Sequence, residues 1–373
     1  MPLHPFKRWF RRYFSDPQIV FLVSALLILF AVLLFLGRML TPVLASIVIA
    51  YLLEGVVGLL VRHRWPRLAA VLVVFALFML FVLSMLLGVL PAVSRQISDL
   101  LQQLPGMLAH GQQLLMQLPE RYPELLTEAQ VAELMSSARR EVAGLGQQLL
   151  SLSLSSVVGV ITLIVYLVLM PLLVFFFLKD KELILNWFSR WLPRHRAVAD
   201  DVWHKVDQQI SNYVRGKVWE ILVVWAVSFA TFSLFGLNYA MLLSVLVGLS
   251  VIIPYIGALV VTIPLLLIAW FQWGWGPEFI WLAIAYSVIQ TLDGNVLVPV
   301  LFSEVVDLHP VAIIVAILVF GGIWGFWGVF FAIPLATLVQ ALLGAFPHPA
   351  EKSPAAAGAD LNTGKEPSVQ GAR

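Results

Sequence analysis

Residues 218–253 read VWEILVVWAVSFATFSLFGLNYAMLLSVLVGLSVII and contain one charged side chain, Glu220. No Lys or Arg occurs from residue 218 to residue 351, although basic residues are frequent before that point. About a quarter of the residues in a soluble domain are charged, whereas Asp, Glu, Lys and Arg make up only 12% of this chain. A stretch of this kind cannot form an ordinary hydrated surface, and it predicts helices that face lipid.

The same pattern extends over most of the chain, which is 61% hydrophobic. It predicts an all-α membrane protein, a polytopic helical bundle of about seven to eight spans, with broken or re-entrant helices in the C-terminal half. Five segments follow: three spans (19–36, 40–61 and 68–90) within residues 1–90, an amphipathic helical insert (91–156), a fourth span and an amphipathic helix (157–217), a C-terminal transport core (218–343) and a disordered cytoplasmic tail (344–373).

Charge distribution predicts the orientation of these segments. The basic N-terminus, the short loop 62–67 and the basic stretch 179–217 belong on the cytoplasmic side by the positive-inside rule. Three preceding spans then place the insert 91–156 in the periplasm. We therefore expect a multi-pass protein of a bacterial inner membrane with a cytoplasmic N-terminus.

The insert is polar, but its apolar residues follow helical spacing, for example at Ile97, Leu100 and Leu104. Its helices could form a hairpin that lies on the rest of the protein. They could instead provide a contact between subunits of a homo-oligomer, which the long apolar stripe over 131–149 favours slightly.

Several functional classes are excluded by what the sequence lacks. It contains no Cys, no phosphate-binding glycine loop, no His-Glu-x-x-His motif and no Gly-x-Ser-x-Gly motif. A net charge of +2 gives no basic surface for nucleic acid. We therefore expect neither an enzyme nor a cofactor or metal protein, and the expected partners are the lipid bilayer and a small-molecule solute.

Short apolar segments interrupted by Gly or Pro mark the C-terminal half. Interrupted helices at membrane depth are tolerated where they are buried in protein or line a water-filled cavity, and they often mark the binding site of a transporter. The Ile-Pro steps at Pro254 and Pro334 each follow such a segment and could belong to an internal repeat. The candidate positions for helix breaks and for the pathway are Pro254, Tyr255, Gly257, Gly294, Pro299, Pro310 and Pro334.

Polar side chains are rare in this half and group around residues 290–309. The candidates for transport or ion coupling are Gln290, Asp293, Asn295, Glu304, Asp307 and His309. A buried Asp293 could bind a proton while it is open to one side of the membrane and release it when it is open to the other. It could instead hold sodium together with Asn295 and backbone carbonyls. Glu304 and Asp307 could instead lie in a hydrated surface loop, and His309 could simply pack at the start of a helix.

A group of short motifs carries a resemblance to a known family. These motifs are Tyr213-Val214-Arg215-Gly216-Lys217, residues 235–240 (FGLNYA), Ile253-Pro254-Tyr255-Ile256-Gly257, residues 293–299 (DGNVLVP), Leu308-His309-Pro310 and Ile333-Pro334-Leu335-Ala336. In order and spacing they resemble the autoinducer-2 exporter family of permeases over roughly residues 170–340. The resemblance implies an inner-membrane transporter of about seven to eight spans, with Asp293 and the segment 254–257 at the transport pathway.

These observations favour an ion-coupled exporter or antiporter that works by alternating access and couples to protons or sodium. A channel or pore-forming oligomer is the first alternative, in which Gly321, Gly325 and Gly328 would allow close helix packing. A membrane scaffold that transports nothing and binds a partner through the insert is the second.

Overall fold

The computed structural model describes residues 17–116, 156–190, 197–254, 256–302 and 309–345, with isolated positions between 130 and 144. Every regular element in these ranges is a helix, which confirms the all-α class. The N-terminal half contains α1 (Pro17–Arg62), α2 (Arg67–Ser84), α3 (Leu90–Met116), α4 (Ser156–Lys179) and α5 (Lys181–Ser189). The C-terminal half contains α6 (Ala197–Leu234), α7 (Ala240–Ser250), α8 (Ile256–Trp273), α9 (Pro277–Leu292), α10 (Val298–Phe302), α11 (Pro310–Trp324), α12 (Phe326–Phe330) and α13 (Ala332–Ala345).

The outer surface of the bundle is strongly apolar. Large side chains such as Leu80, Leu318 and Phe35 are exposed, as expected of helices that contact lipid. Among the described residues, five helices are long and apolar enough to cross a membrane: Met39–Arg62, Arg67–Gln113, Asp207–Leu234, Ile256–Trp273 and Pro277–Phe302. The predicted total of seven to eight spans is therefore not reproduced within this part of the chain.

The two spans predicted at 19–36 and 40–61 form one continuous helix, α1, of 46 residues. The helix continues through residues 37–39, which separate the two apolar runs, because a single Gly costs a helix only about 1 kcal/mol. At about 1.5 Å per residue, α1 is roughly 69 Å long, more than twice the ~30 Å hydrocarbon core. The count of three spans before residue 91 and the orientation therefore both remain predictions from hydropathy and charge.

Two π-helical turns carry helices through positions that the sequence marks as breaks. The first, Met85–Val89, joins α2 to α3, so the helix does not end before Pro91. The second, Asp293–Leu297, joins α9 to α10, so the predicted breaks at Gly294 and Pro299 are wrong.

Both π turns stand at the same spacing from a proline. Each is followed two positions later by a proline, Pro91 or Pro299, which cannot donate a hydrogen bond and crowds the preceding turn. The wider turn relieves this crowding, because the backbone N–H of Leu90 reaches back to Met85 and that of Val298 to Asp293.

Helix α6 lies at the centre of the C-terminal half and contacts α1, α7, α9, α10 and α13. It is continuous across the boundary predicted at residues 217 and 218, so the predicted cytoplasmic helix and the following span are one element. One apolar core joins α6 to α7, α8 and α9, and α3 packs on it through residues such as Ile97 and Leu100. A second core joins α6 to α11 and α13, and a third joins α1, α2 and α4.

The segment 310–345 folds back on itself, and its break lies at Gly325, inside the glycine-rich stretch 321–328 that interrupts this apolar segment in the sequence. Gly325 has φ of 60° and ends α11, which lets α12 turn back onto it. Gly328 sits so close to the Phe320 carbonyl that no Cβ fits. These glycines therefore serve packing within the chain. Pro334 breaks nothing, because it lies in the first turn of α13, where a helix does not need its N–H.

Candidate functional site

Helix α6 carries a buried ion pair near its middle. The Nζ of Lys217 lies 2.6 Å from Oε2 of Glu220, one helical turn away. Lys217 is 4% exposed and Glu220 is 2% exposed. Both charges are thus removed from solvent within a helix that can span a membrane, where unpaired charges are costly.

Lys217 also binds the interruption between α7 and α8. Its Nζ donates a hydrogen bond to the backbone carbonyl of Val251 over 2.9 Å. This carbonyl lies just after the last residue of α7, where helix carbonyls lack intrahelical partners. The Phe302 ring, 5.2 Å from Nζ, covers the ammonium on another side. One lysine therefore ties α6 to the α7–α8 break and to the end of α10.

The second π turn adds another carboxylate to this cluster. Asp293 interacts electrostatically with both Lys217 and Glu220. Its Oδ1 atom is buried and has no hydrogen-bond partner among the described residues. If all three groups are ionised, the cluster of Lys217, Glu220 and Asp293, the charged cluster below, carries a net charge of −1.

Polar side chains continue from Asp293 along one face of α9. Gln290 lies one turn before Asp293, and Tyr286 lies one turn before Gln290, as helical spacing requires. The Tyr286 hydroxyl lies 3.1 Å from Oγ1 of Thr262 on α8 and donates to the Ala258 carbonyl over 3.4 Å. This polar face connects the charged cluster to α8.

The structure brings only part of the predicted site together. Gln290 and Asp293 belong to the polar face of α9. Asn295 does not: it is exposed, and its amide donates to the Thr291 carbonyl of the same helix over 2.9 Å. It therefore gives no support to the predicted sodium site formed with Asp293.

Other predicted residues have local backbone roles or lie outside the described ranges. His309 caps α11, because its Nδ1 accepts a hydrogen bond from the Val311 N–H over 3.3 Å, and Pro310 follows as the first helical residue. Pro254 lies in the α7–α8 break, and Gly257 packs directly against the Ser250 carbonyl there. Tyr255, Glu304 and Asp307 lie outside the residues that the structure describes.

Sequence reasoning missed the pairing of Lys217 with Glu220. The charge pattern groups Lys217 with the cytoplasmic basic stretch 179–217 and leaves Glu220 as an isolated charge in the following apolar stretch. Two signals pointed to the pair: the spacing of three residues, and the position of Lys217 as the last basic residue before the long stretch without Lys or Arg. The Val251 carbonyl to which Lys217 donates, 34 residues away, could be found only from the packing.

Comparison with known proteins gives matches over most of the chain. A family model described as "AI-2E family transporter" matches residues 23–348. The chain is 48% identical over 341 residues to the Escherichia coli K12 protein named "Putative permease PerM", covering 91% of this chain and 96% of that protein. It is 26% identical over 310 residues to the Bacillus subtilis protein named "Putative transport protein YrrI", covering 81% of this chain and 85% of that protein.

Proposed function

The chain belongs to the AI-2E transporter family, and we propose that it is an ion-coupled secondary transporter that exports or exchanges a small solute by alternating access. The observation that carries this proposal is the surplus negative charge of the charged cluster. One ammonium, on Lys217, faces two carboxylates, those of Glu220 and Asp293. The Lys217–Glu220 pair neutralises itself, so Asp293 supplies the excess.

Asp293 is half-buried, and an excess charge at membrane depth costs several kcal/mol unless a counter-ion or proton removes it. Asp293 has a buried oxygen that no protein group binds within the described residues, so a proton or a sodium ion can take that position. Binding at one membrane face and release at the other would couple the ion gradient to the solute.

The α7–α8 break is the element that such binding would move. Lys217 holds the Val251 carbonyl of this break and lies within electrostatic range of Asp293. Neutralising Asp293 reduces its attraction for the Lys217 ammonium. This changes the force on the carbonyl, and hence the position of α7 relative to α6.

The remaining parts of the proposal come from family membership and charge distribution. Membership of the AI-2E transporter family, together with the resemblance of its motifs to the autoinducer-2 exporters, supports a small signal similar to autoinducer-2 as the solute. The basic N-terminus supports a cytoplasmic start in a bacterial inner membrane. The lipid bilayer surrounds the bundle, and assembly into a homo-oligomer is part of the same proposal.

The direct test is flux in proteoliposomes loaded with autoinducer-2, with wild type beside Asp293→Asn. We expect wild-type efflux to saturate with solute and to respond to an imposed proton or sodium gradient. Asp293→Asn removes the ionisable group while keeping the shape of the side chain. Gradient-driven flux should fall about tenfold or more, because a tenfold lower rate requires the activation free energy to rise by only about 1.4 kcal/mol.

Glu278→Gln is the matched control, because it makes the same chemical change at an exposed position in the first turn of α9. Its flux should equal that of wild type. Flux that does not saturate and ignores both gradients would favour a pore. Normal gradient-driven flux in Asp293→Asn would contradict the coupling role, and absence of flux in every variant would favour the scaffold.

A further inference from the structure

One face of α5 lines a cavity of about 560 Å³, the α5 cavity below. The start of α2 and the turn between α4 and α5 complete its wall. Its described lining contains three basic side chains, those of Arg67, Lys179 and Arg190, and two acidic ones, those of Asp180 and Glu182. The volume lies within the usual range for small-molecule sites, which is about 300–1,000 Å³.

The α5 cavity lies where apolar helices end. The apolar stretch of α2 begins at Arg67, and that of α4 ends at Lys179. Glu54 of α1 holds these two ends together, because its Oε1 lies 3.2 Å from Nη1 of Arg67 and 3.1 Å from Nζ of Lys181. Arg67 also donates to the Leu178 carbonyl near the end of α4 over 3.2 Å. These contacts place the cavity at the edge of the hydrocarbon region, at the depth of lipid headgroups.

Helix α5 has the composition of a helix that lies at a membrane surface. Among its nine residues are four large apolar side chains that are each more than half exposed: Leu183, Leu185, Trp187 and Phe188. Exposed Leu, Trp and Phe beside basic residues are typical of helices whose apolar side chains enter lipid while the charged ones stay with the headgroups. Leu183 and Trp187 also line the cavity. A molecule bound there therefore meets both charged and apolar side chains, as the headgroup end of a lipid does.

The charges of the cavity favour a ligand with a single negative charge. Arg190 forms no ion pair within the described residues, and Lys179 reaches Asp180 only over 3.9 Å. If its five ionisable side chains are all charged, the described lining carries a net charge of +1. One phosphodiester group balances that charge, whereas a zwitterionic headgroup leaves it unbalanced. The two carboxylates disfavour an anion of higher charge.

We infer that the α5 cavity binds the headgroup of an anionic phospholipid of the phosphatidylglycerol type, with its phosphate among Arg67, Lys179 and Arg190. Arginine and lysine are the usual partners of phosphate, and both provide several N–H donors. The acyl chains extend from the cavity past Leu183 and Trp187 into the bilayer. This lipid site goes beyond the proposed function and depends neither on the charged cluster nor on transport.

Native mass spectrometry of the purified full chain in detergent counts bound lipids and tests this inference without requiring transport. The probes are dioctanoyl phosphatidylglycerol, dioctanoyl phosphatidylethanolamine and glycerol phosphate, which has the anionic group without acyl chains. We expect phosphatidylglycerol to bind saturably and about fivefold more tightly than the ethanolamine lipid, because the two headgroups differ by one charge. Glycerol phosphate should not bind in the same concentration range.

Arg190→Gln should weaken phosphatidylglycerol binding by about fivefold, the usual effect of one basic side chain near an anionic lipid. Binding of the ethanolamine lipid should change little. The variant should fold normally, because Arg190 is exposed and forms no ion pair within the described residues. Arg95→Gln is the matched control: it removes an exposed arginine on α3 that does not line the cavity, and it should bind phosphatidylglycerol like wild type.

Three outcomes would overturn the inference. Equal affinity for the glycerol and ethanolamine lipids would mean that the cavity does not recognise the charge of the headgroup. Binding of glycerol phosphate as tightly as the lipid would indicate a site for a soluble anion. Equal effects of Arg190→Gln and Arg95→Gln, whether both weaken binding or neither does, would mean that the lipid binds elsewhere or through overall charge alone.

Discussion

Lys217→Met should lower the free energy of unfolding by about 3–5 kcal/mol, the usual cost of removing one partner of a buried ion pair. The substitution keeps an unbranched side chain of similar length, so the loss arises mainly from charge and hydrogen bonding. It leaves the Glu220 carboxylate, 2% exposed, without its cation, and the Val251 carbonyl without its donor. Unfolding in mixed detergent and denaturant micelles measures the change.

The exposed pair Lys179–Asp180 provides the control. Its charged atoms are 3.9 Å apart, and the two side chains are 43% and 35% exposed. Lys179→Met should therefore cost no more than about 1 kcal/mol. If Lys217→Met lowered the free energy of unfolding no more than Lys179→Met does, the charged cluster would make no special contribution to stability.

A second variant separates the two consequences of losing Lys217. Lys217→Met combined with Glu220→Gln removes the unpaired carboxylate but still leaves the Val251 carbonyl without a donor. The double variant should recover most of the stability, because an unpaired buried charge costs more than one neutral hydrogen bond. A double variant less stable than Lys217→Met alone would show that Glu220 stabilises the fold through contacts other than Lys217.

Hydropathy was sufficient to predict the helical class, because long apolar segments in lipid can form little else. It failed at the ends of helices. The chain continues as helix through three places where the sequence has residues that weaken helices: residues 37–39, Pro91 and residues 293–295. Composition shows where a helix is weak, whereas its continuation depends on whether a π turn or neighbouring packing can replace the lost hydrogen bond.

The candidate site was predictable to a similar extent. Asp293 and Gln290 could be selected because polar residues are rare in an apolar helix and are usually functional there. Asn295 could not be excluded, because sequence spacing alone does not say that its amide bonds to its own helix. The groove between α3, the α6–α7 connection and α8 could not be predicted, since these elements meet only in the folded chain.

Gly257→Ala should destabilise the protein by about 3 kcal/mol and abolish gradient-driven flux. A Cβ at this position would lie 2.6 Å from the Ser250 carbonyl carbon and 3.1 Å from its Cα, with the carbonyl oxygen closer still. These atoms belong to the backbone and cannot rotate away, so the turn between α7 and α8 must open. Overpacking of this kind costs about 1–3 kcal/mol, and here it lies at the upper end of that range.

Gly58→Ala and Gly294→Ala are controls of the same chemistry, because a Cβ at either glycine meets no atom within 4 Å. Both lie inside helices, where replacing Gly by Ala gains up to about 1 kcal/mol. Unfolding measurements on the three variants therefore compare one crowded glycine with two open ones. A wild-type stability for Gly257→Ala would mean that the α7–α8 turn can open freely.

The turn that Gly257 closes is the same one that presents the Val251 carbonyl to Lys217. The Ile253 N–H donates to the Ser250 carbonyl and the Gly257 N–H to the Ile253 carbonyl, so opening one end displaces the carbonyl between them. Gly257→Ala and Lys217→Met should therefore disrupt one shared structure, and together they should cost less than the sum of their separate effects. If the two stability effects were strictly additive, the crowded turn and the charged cluster would be energetically independent. The proposed link between ion binding and the movement of α7 would then be wrong.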